Sequence, residues 1–471
     1  MNHEKLQRLV LIIVLIVALI FIIIWISSRA SITSKTSPIC KTSADCPGHE
    51  VCQNGVCVQS SPIVPEPEPQ VSCDCEFGVP QQVIFDVDLD TFERSIQKGY
   101  DGLIYASFST YDYNLAAYIN YVGRYLKDGT LDTTFGTAGY ITIETPLAPM
   151  SNIEILPLTD GSFACFNRFG PPRLWRMLSD GTIDPGFPII TIALITGNTA
   201  IDSFDPERRL VIGNNGGFYY CQSEFYPSAQ HFLKYTSTGL DLSYGTFSGR
   251  ATFNLNMLLA GFDGFIDMRL VKSLSNGSLV IFHTAQRSPG VYRPAVTKLT
   301  PTGAIDTSFG VNGHFWDANE VIANGPFTPW GDIGLDGSIY YIGTGCFDSI
   351  CSVETSVALK LTATGQLDTT WGVDGYFVYN ASPPYTGAAS LAVEPCGGVM
   401  IAYWCEGATN DTHIIRLDAS GNLNPLYPII ITGEAADFET TVISGGEFVG
   451  DPIYYHFEAY QSGKIFTLNC V

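Results

Sequence analysis

Positive charge is what this chain has least of. Its 471 residues carry 24 Lys and Arg against 46 Asp and Glu, for a formal net charge of −22. Such a surface repels phosphates, which argues against nucleic acid as a partner. Acidity favours solubility and cation association but names no ligand. Histidine is also scarce: His3, His49, His231, His283, His314, His413 and His456 are scattered, with no two at metal-ligand spacing. No G-x-S-x-G elbow, phosphate-binding loop, dinucleotide fingerprint or H-E-x-x-H occurs. The chain therefore lacks the usual signatures of hydrolases, NTPases, dehydrogenases and metalloproteases. It assigns no catalytic residue, no cofactor and no metal ligand.

What is there begins with apolar residues, 46% of the chain, and with 46 Gly and 27 Pro, which imply many turns. The run LVLIIVLIVALIFIIIWI, Leu9 to Ile26, carries no charge. As a helix it spans about 27 Å, close to the hydrocarbon thickness of a bilayer, and Trp25 falls where an interfacial aromatic belongs. The run is longer than the core of a cleaved signal peptide, and no small-x-small cleavage site follows it. The expectation is a signal-anchor: residues 1–8 cytosolic, 9–27 a transmembrane helix. Lys5 and Arg8 before the run and Arg29 and Lys35 after it leave the charge rule undecided.

The cysteines orient the chain. Thirteen is many for a cytosolic protein, and their clustering implies disulfides and an oxidising compartment, so the bulk of the chain lies outside the cytosol. Residues 40–58 hold Cys40, Cys46, Cys52 and Cys57. A piece so short cannot bury a core and needs crosslinks. Cys40–Cys52 with Cys46–Cys57 is the favoured one of three pairings, and a zinc site is the alternative, without a well-placed histidine. The C-x5-C-x5-C-x4-C spacing resembles short Cys-rich extracellular modules. Residues 59–72, rich in alternating Pro and Glu, form an extended spacer ahead of a main domain at 73–471.

Six segments of that domain align with one another: LKDGTLDTTFGTAG, LSDGTIDPGFP, TSTGLDLSYG, TPTGAIDTSFGVNG, TATGQLDTTWGVDG and DASGNLNPLYP. Each is anchored on a glycine in fourth place: Gly129, Gly181, Gly239, Gly303, Gly365 and Gly421. Three residues on comes Asp132, Asp184, Asp306, Asp368 or Asn424, and six on comes Phe135, Phe187, Phe309, Trp371 or Tyr427. The third copy is one residue short, with Asp241 and Tyr244. A strand-like run precedes each copy. Gly supplies a positive φ, the acid closes an Asx-turn, and the aromatic is free to wedge between sheets.

A second turn recurs at Asp101-Gly102, Asp160-Gly161, Asn276-Gly277, Asp336-Gly337, Gly397-Gly398 and Ser462-Gly463, each before a strand-like run, and LVIG after Arg209 reads as a further copy without the glycine. Hairpins at this period, each too small to stand alone, indicate an all-β fold of blades around an axis, a β-propeller. Seven blades fit the length, and six are the alternative. The last hairpin has too few strands, so QVIFDVDL (82–89) is expected to complete its blade and close the ring, with Cys470 clipped to Cys73 or Cys75. Among the remaining cysteines, Cys346 and Cys351 share a loop, Cys396 and Cys405 flank a strand, and Cys165 and Cys221 are placed to link neighbouring blades; buried free thiols are the other reading.

The DG-x-LD-x-x-FG-x-x-G string resembles the delta-60 repeat family, a β-propeller family of unknown function, over most of residues 80–430. The resemblance implies a propeller in a surface or secreted context and transfers no catalytic residue. Pro replaces the second glycine in the copies at 178–188 and 418–428, which departs from the pattern.

The repeated acids also raise calcium, weakly. One Asp per blade supplies one or two oxygens where calcium takes six to eight, and DVDLD at 86–90 is no better placed. Sequons stand at Asn276, Asn380 and Asn410; Pro383 beyond the second disfavours it. The order of anchor, module, spacer and propeller suggests a membrane-tethered glycoprotein at a cell surface, or in the envelope or inner membrane of a large DNA virus. It would bind a protein or glycan or act as a structural display component of the virion. A carbohydrate-active hydrolase or lyase with acids around the axis is the competing expectation.

Overall fold

The computed structural model describes residues 50–53, 56–59, 83–84, 91–99, 101–112, 117–126, 130–145, 153–167, 173–191, 210–213, 217–223, 229–246, 249–254, 266–288, 291–317, 330–346, 354–379, 385–394, 397–406, 411–425, 429–431, 441–443, 453–459 and 462–468. The chain divides into two compact units, Met1–Val71 and Ser72–Val471. In the first, Glu50–Gln53 and Val56–Gln59 form an antiparallel hairpin that sets Cys52 opposite Cys57 in backbone register. The apolar run at 9–26 lies outside the described residues. Among those that are described, no helix is long and apolar enough to cross a membrane.

The second unit is a β-propeller of seven antiparallel sheets. The first blade is Thr91–Lys98, Ile104–Asp112, Ala117–Tyr125 and Tyr140–Thr142. The second is Ile153–Pro157, Phe163–Asn167, Arg173–Met177 and Ile190–Thr191. The third is Leu210–Ile212, Phe218–Ser223 and Ala229–Thr236, on which both Gly239–Leu240 and Arg250–Asn254 pair. The fourth is Ile266–Ser273, Leu279–Ser288, Val291–Leu299 and His314–Trp316. The fifth is Trp330–Ile333, Ile339–Cys346, Glu354–Leu361 and Tyr376–Tyr379. The sixth is Tyr385–Val393, Val399–Glu406, Asp411–Leu417 and Ile429–Ile431. First strands of successive blades lie side by side, as strands lining a common axis do.

The seventh blade joins the two ends of the unit. Its strands Thr441–Ile443, Ile453–Ala459 and Ser462–Leu468 come from the C-terminal end, and its fourth, Val83–Ile84, comes from the start. Val83 pairs with Ile465 and Ile84 with Lys464. The choice between six and seven blades falls to seven, and the closing strand lies inside the segment expected to supply it.

Two turn assignments need correction. LVI at 210–212 is the first strand of the third blade, not the second; Gly213 N bonds Gly217 O across the true turn, and Phe218–Ser223 follows. Ser462-Gly463 opens the third strand of the last blade, so it does not match the turns at Asp101 and Asp336.

Alternation of side chains gives each blade two apolar faces, and the core is a set of slabs between blades. Tyr105, Val122 and Phe135 of the first blade pack on Ile155, Phe163, Cys165 and Trp175 of the second. Leu156, Ala164, Phe166 and Phe187 then face Leu210, Phe218 and Tyr220 of the third. Three further slabs, built around Tyr244, Phe309 and Trp371, follow the same plan. Each buried aromatic contributes about 2–3 kcal/mol through burial.

Strand direction fixes which connections share a face. First and third strands of a blade run the same way, so the first hairpin turn and the repeated tag leave from one end. Connections such as 192–209, 255–265 and 318–329 join fourth strands to the next blade, and so open at the other end. Val83–Ile84 runs antiparallel to Ser462–Leu468, so the chain enters the ring at the tag end.

Candidate functional site

The repeated tag is a structural joint. In the described copies the amide of the tag acid donates to the carbonyl of a base on the third strand: Asp132 to Arg124, Asp184 to Arg176, Asp306 to Lys298 and Asp368 to Lys360, each at 2.9 Å. The acid then caps the turn. Asp306 Oδ1 accepts from the Ser308 hydroxyl at 2.5 Å and Asp368 Oδ1 from the Thr370 hydroxyl at 2.5 Å. Its other oxygen meets the base itself, at 2.7 Å for Arg124–Asp132, 3.3 Å for Arg176–Asp184, 3.4 Å for Lys234–Asp241, 3.3 Å for Lys298–Asp306 and 3.2 Å for Lys360–Asp368. The hydroxyl bond first and the base after it hold the Asp306 and Asp368 carboxyls below the usual carboxylate range.

These bases were missed at the sequence level although their signal is simple. Arg124, Arg176, Lys298 and Lys360 each stand eight residues before the tag acid, and Lys234 stands seven before Asp241 in the short copy. The sixth copy shows what the pairing is for. Asn424 cannot neutralise Arg416, and Arg416 turns to the buried Glu394, with Nε 2.7 Å from Oε1 and Nη2 2.8 Å from Oε2. A buried guanidinium keeps a carboxylate partner by another route.

Phe135 packs among Ile155 and Phe163 of the second blade and Trp371 among Leu391 and Val399 of the sixth, and each also meets a ring of its own blade. Tyr340 meets Trp371 edge-on at 5.9 Å, Tyr105 meets Phe135 at 6.0 Å, and the Arg124 guanidinium lies 4.5 Å from the Phe135 ring centre. The tag glycines hold the same joint from the other side. Gly310 N donates to Thr364 O and Gly372 N to Ser420 O, both at 2.7 Å, so one blade's tag bonds directly to the next. Gly181, Gly239, Gly303, Gly365 and Gly421 all have positive φ. Gly129 and Tyr427 lie outside the described residues.

With one oxygen on a turn and the other on a base, a tag carboxylate is not a calcium site. Among the described residues no three His, Cys, Asp or Glu side chains converge. The described carboxylates on the first strands serve as ties as well. Glu154 accepts from Leu210 N in the next blade at 3.0 Å. Asp332 accepts from Val393 N at 3.0 Å and pairs with Lys272 at 3.2 Å, linking three blades.

The expected link between Cys165 and Cys221 is not made: both thiols are free and buried. The pleat is the reason. Cys165 faces the slab toward the first blade and Cys221 the slab toward the fourth, so the two point away from their shared boundary. Burial pushes both thiols well above their usual range. The side chains of Cys40, Cys46, Cys52, Cys57, Cys73, Cys75, Cys346, Cys351, Cys396, Cys405 and Cys470 lie outside the described residues, as do Asn380 and Asn410. Asn276 is exposed, and its side-chain oxygen accepts from Ser278 N at 2.9 Å, which makes it a turn former first.

The fold and these joints define a seven-bladed β-propeller. No protein-family profile matches the chain, and no curated protein does. Among solved structures it is similar to an ulvan lyase of a new polysaccharide lyase family, with TM-score 0.48 and 9% identity over 83% of this chain and 96% of that one. The propeller domain of a protease from Pyrococcus furiosus gives TM-score 0.42 and 11% identity, covering 79% and 92%. A Penicillium chrysogenum alpha-L-arabinanase gives TM-score 0.41 and 10% identity, covering 81% and 94%.

Proposed function

We propose that the protein is a tethered recognition propeller, anchored in a membrane by residues 9–27 and presenting the face opposite its tags to a protein or glycan partner outside the cytosol. The point where the chain enters the ring carries this reading. Val83–Ile84 pairs with Ser462–Leu468 as the last strand of the seventh blade, so the chain enters that strand at the tag end, and the module, the spacer and the apolar run come before it in the sequence. The longest connection between strands of the ring, 192–209, joins the second blade to the third at the end away from the tags. The described carboxylates of the inner strands are taken up by ties between blades, which favours a rigid display platform over an enzyme. A cell surface or a viral envelope suits this arrangement equally.

The test uses residues 72–471 immobilised through their N-terminal end and exposed to glycan and surface-protein libraries. A specific partner is expected, and replacing 192–209 by a Gly-Ser linker should release it. Release of reducing ends or unsaturated uronate from a polysaccharide would overturn the reading in favour of a hydrolase or lyase. Alkaline extraction of membranes tests the anchor: the full chain should stay with the lipid, and a chain lacking residues 1–27 should not.

A further inference from the structure

The boundary between the fourth and fifth blades differs from those that follow the first and fifth blades. At the fourth position counted from Tyr140, His314 and Tyr376, where the fourth strands begin, the first blade has Ile143, buried in the slab against the second. The fifth has Tyr379 in the matching place, stacked on Tyr403 at 4.6 Å. The fourth blade has Asp317, which is shorter than tyrosine and polar where isoleucine is not. A cavity of about 240 Å³ opens beside it, lined by Val311, Phe315, Asp317, Gln366, Leu367 and Tyr376 among others.

The lining is graded from mouth to floor. Val311 is 55% exposed and Gln366 is exposed, so these two form the rim. Phe315 and Leu367 are half-buried walls. The floor is Asp317 and Tyr376, 2% and 5% exposed, where the phenol donates to Asp317 Oδ1 at 2.7 Å. The rim is tied down, since Gly310 N bonds Thr364 O at 2.7 Å and Gln366 Nε2 reaches Gly310 O at 3.5 Å. The shape is therefore largely preformed, which lowers the entropic cost of filling it.

We propose that this cavity is a binding subsite for one neutral monosaccharide unit, such as the terminal residue of a glycan. The volume lies below the range typical of drug-sized ligands and suits a single small ring. Aromatic and aliphatic walls offer a platform for the C–H face of a pyranose. The carboxylate on the floor, which already takes the Tyr376 hydroxyl proton, and the phenol oxygen beside it both offer acceptors to sugar hydroxyls. The same carboxylate disfavours uronates, sulfated sugars and phosphates by like-charge repulsion. The site lies on the tag side of the ring, so it stands or falls independently of any partner at the opposite face.

The test is saturation-transfer NMR on the full chain in detergent, with the methyl glycosides of glucose, galactose and mannose as probes and glucuronate as the anionic control. At least one neutral glycoside should receive saturation from the protein, and glucuronate should not. Gln366→Trp, at an exposed rim position where folding is not at stake, should abolish the signal. Asp317→Asn, which keeps an acceptor for Tyr376, should weaken binding about tenfold through loss of a charged acceptor. Absence of transfer to all three probes would overturn the proposal, as would a signal that survives Gln366→Trp.

Discussion

Gly365 lies against the ring of Phe309 so closely that a Cβ on it would come 2.6 Å from the ring and 2.8 Å from the Gly310 amide nitrogen. Its φ is +79°. Two constraints thus meet at one residue: a backbone region that suits glycine, and a neighbouring blade that leaves no room for a side chain. Gly365→Ala is expected to destabilise the propeller by about 2–4 kcal/mol, from left-handed strain and overpacking together. Gly161 separates the two causes, because it shares the positive φ but has open space around its Cβ position. Gly161→Ala should cost only the backbone part, about 1–2 kcal/mol. Urea midpoints for the two variants decide the matter, and equal losses would mean that the contact with Phe309 contributes nothing.

Acid should weaken the fold through two imidazoles. Thr297 Oγ1 lies 2.8 Å from His283 Nε2 and 2.8 Å from His314 Nδ1, and all three side chains are buried. Burial pushes His283 down to about 3, with His314 adding to the effect, and pushes His314 down to about 4. In the unfolded chain both take up a proton near 6.5. Between those values the unfolded state binds more protons, so stability is complete above about pH 6.5 and falls as pH drops toward 4. The tag carboxyls act lower: their contribution is whole above about 3.9 and is lost as pH falls through their depressed folded values. Unfolding midpoints measured across both windows should show His283→Gln flattening the upper limb and leaving the lower one alone. An unchanged upper limb would remove the imidazoles from the account.

Much of this architecture was legible because its punctuation is constrained. Gly303, Asp306 and Phe309 announce a turn, a cap and a wedge, and each residue type follows from its geometry rather than from its neighbours. The bases at Lys298 and Lys360 were equally periodic but look like ordinary strand residues, since a lysine on a strand is usually solvated. The cavity beside Asp317 was not legible at all: its lining joins the tags and fourth strands of two neighbouring blades, and bringing those together needs the register of the fourth strands. The blade boundary of Cys165 was hidden for a related reason, because spacing along the chain does not say to which face a strand residue points.

That facing gives a direct expectation for thiol chemistry. Cys165 and Cys221 should resist alkylation in the folded protein and react fully after denaturation, since burial both raises their pKa and blocks access. Peptide mapping of pulse-labelled protein reads both sites at once. The same digest, kept unreduced, tests whether Cys470 is joined to Cys73 or Cys75. Recovery of a Cys165–Cys221 crosslinked peptide from native protein would contradict the slab assignment.

The closing strand makes the most demanding prediction. Val83–Ile84 is short, yet it pairs with Ile465 and Lys464 and so covers part of the otherwise open edge of Ser462–Leu468. A chain beginning at residue 73 keeps this strand, and a chain beginning at residue 90 does not. The shorter chain should unfold at a lower urea concentration and self-associate through the bared edge, because unpaired backbone groups there recruit other strands. Adding a peptide of residues 80–89 should restore both properties, since the edge would again be paired by the sequence that fits its register. If the two chains unfold at the same midpoint and remain equally monodisperse, the ring is held by contacts between blades alone, and the N-terminal strand has no part in its stability.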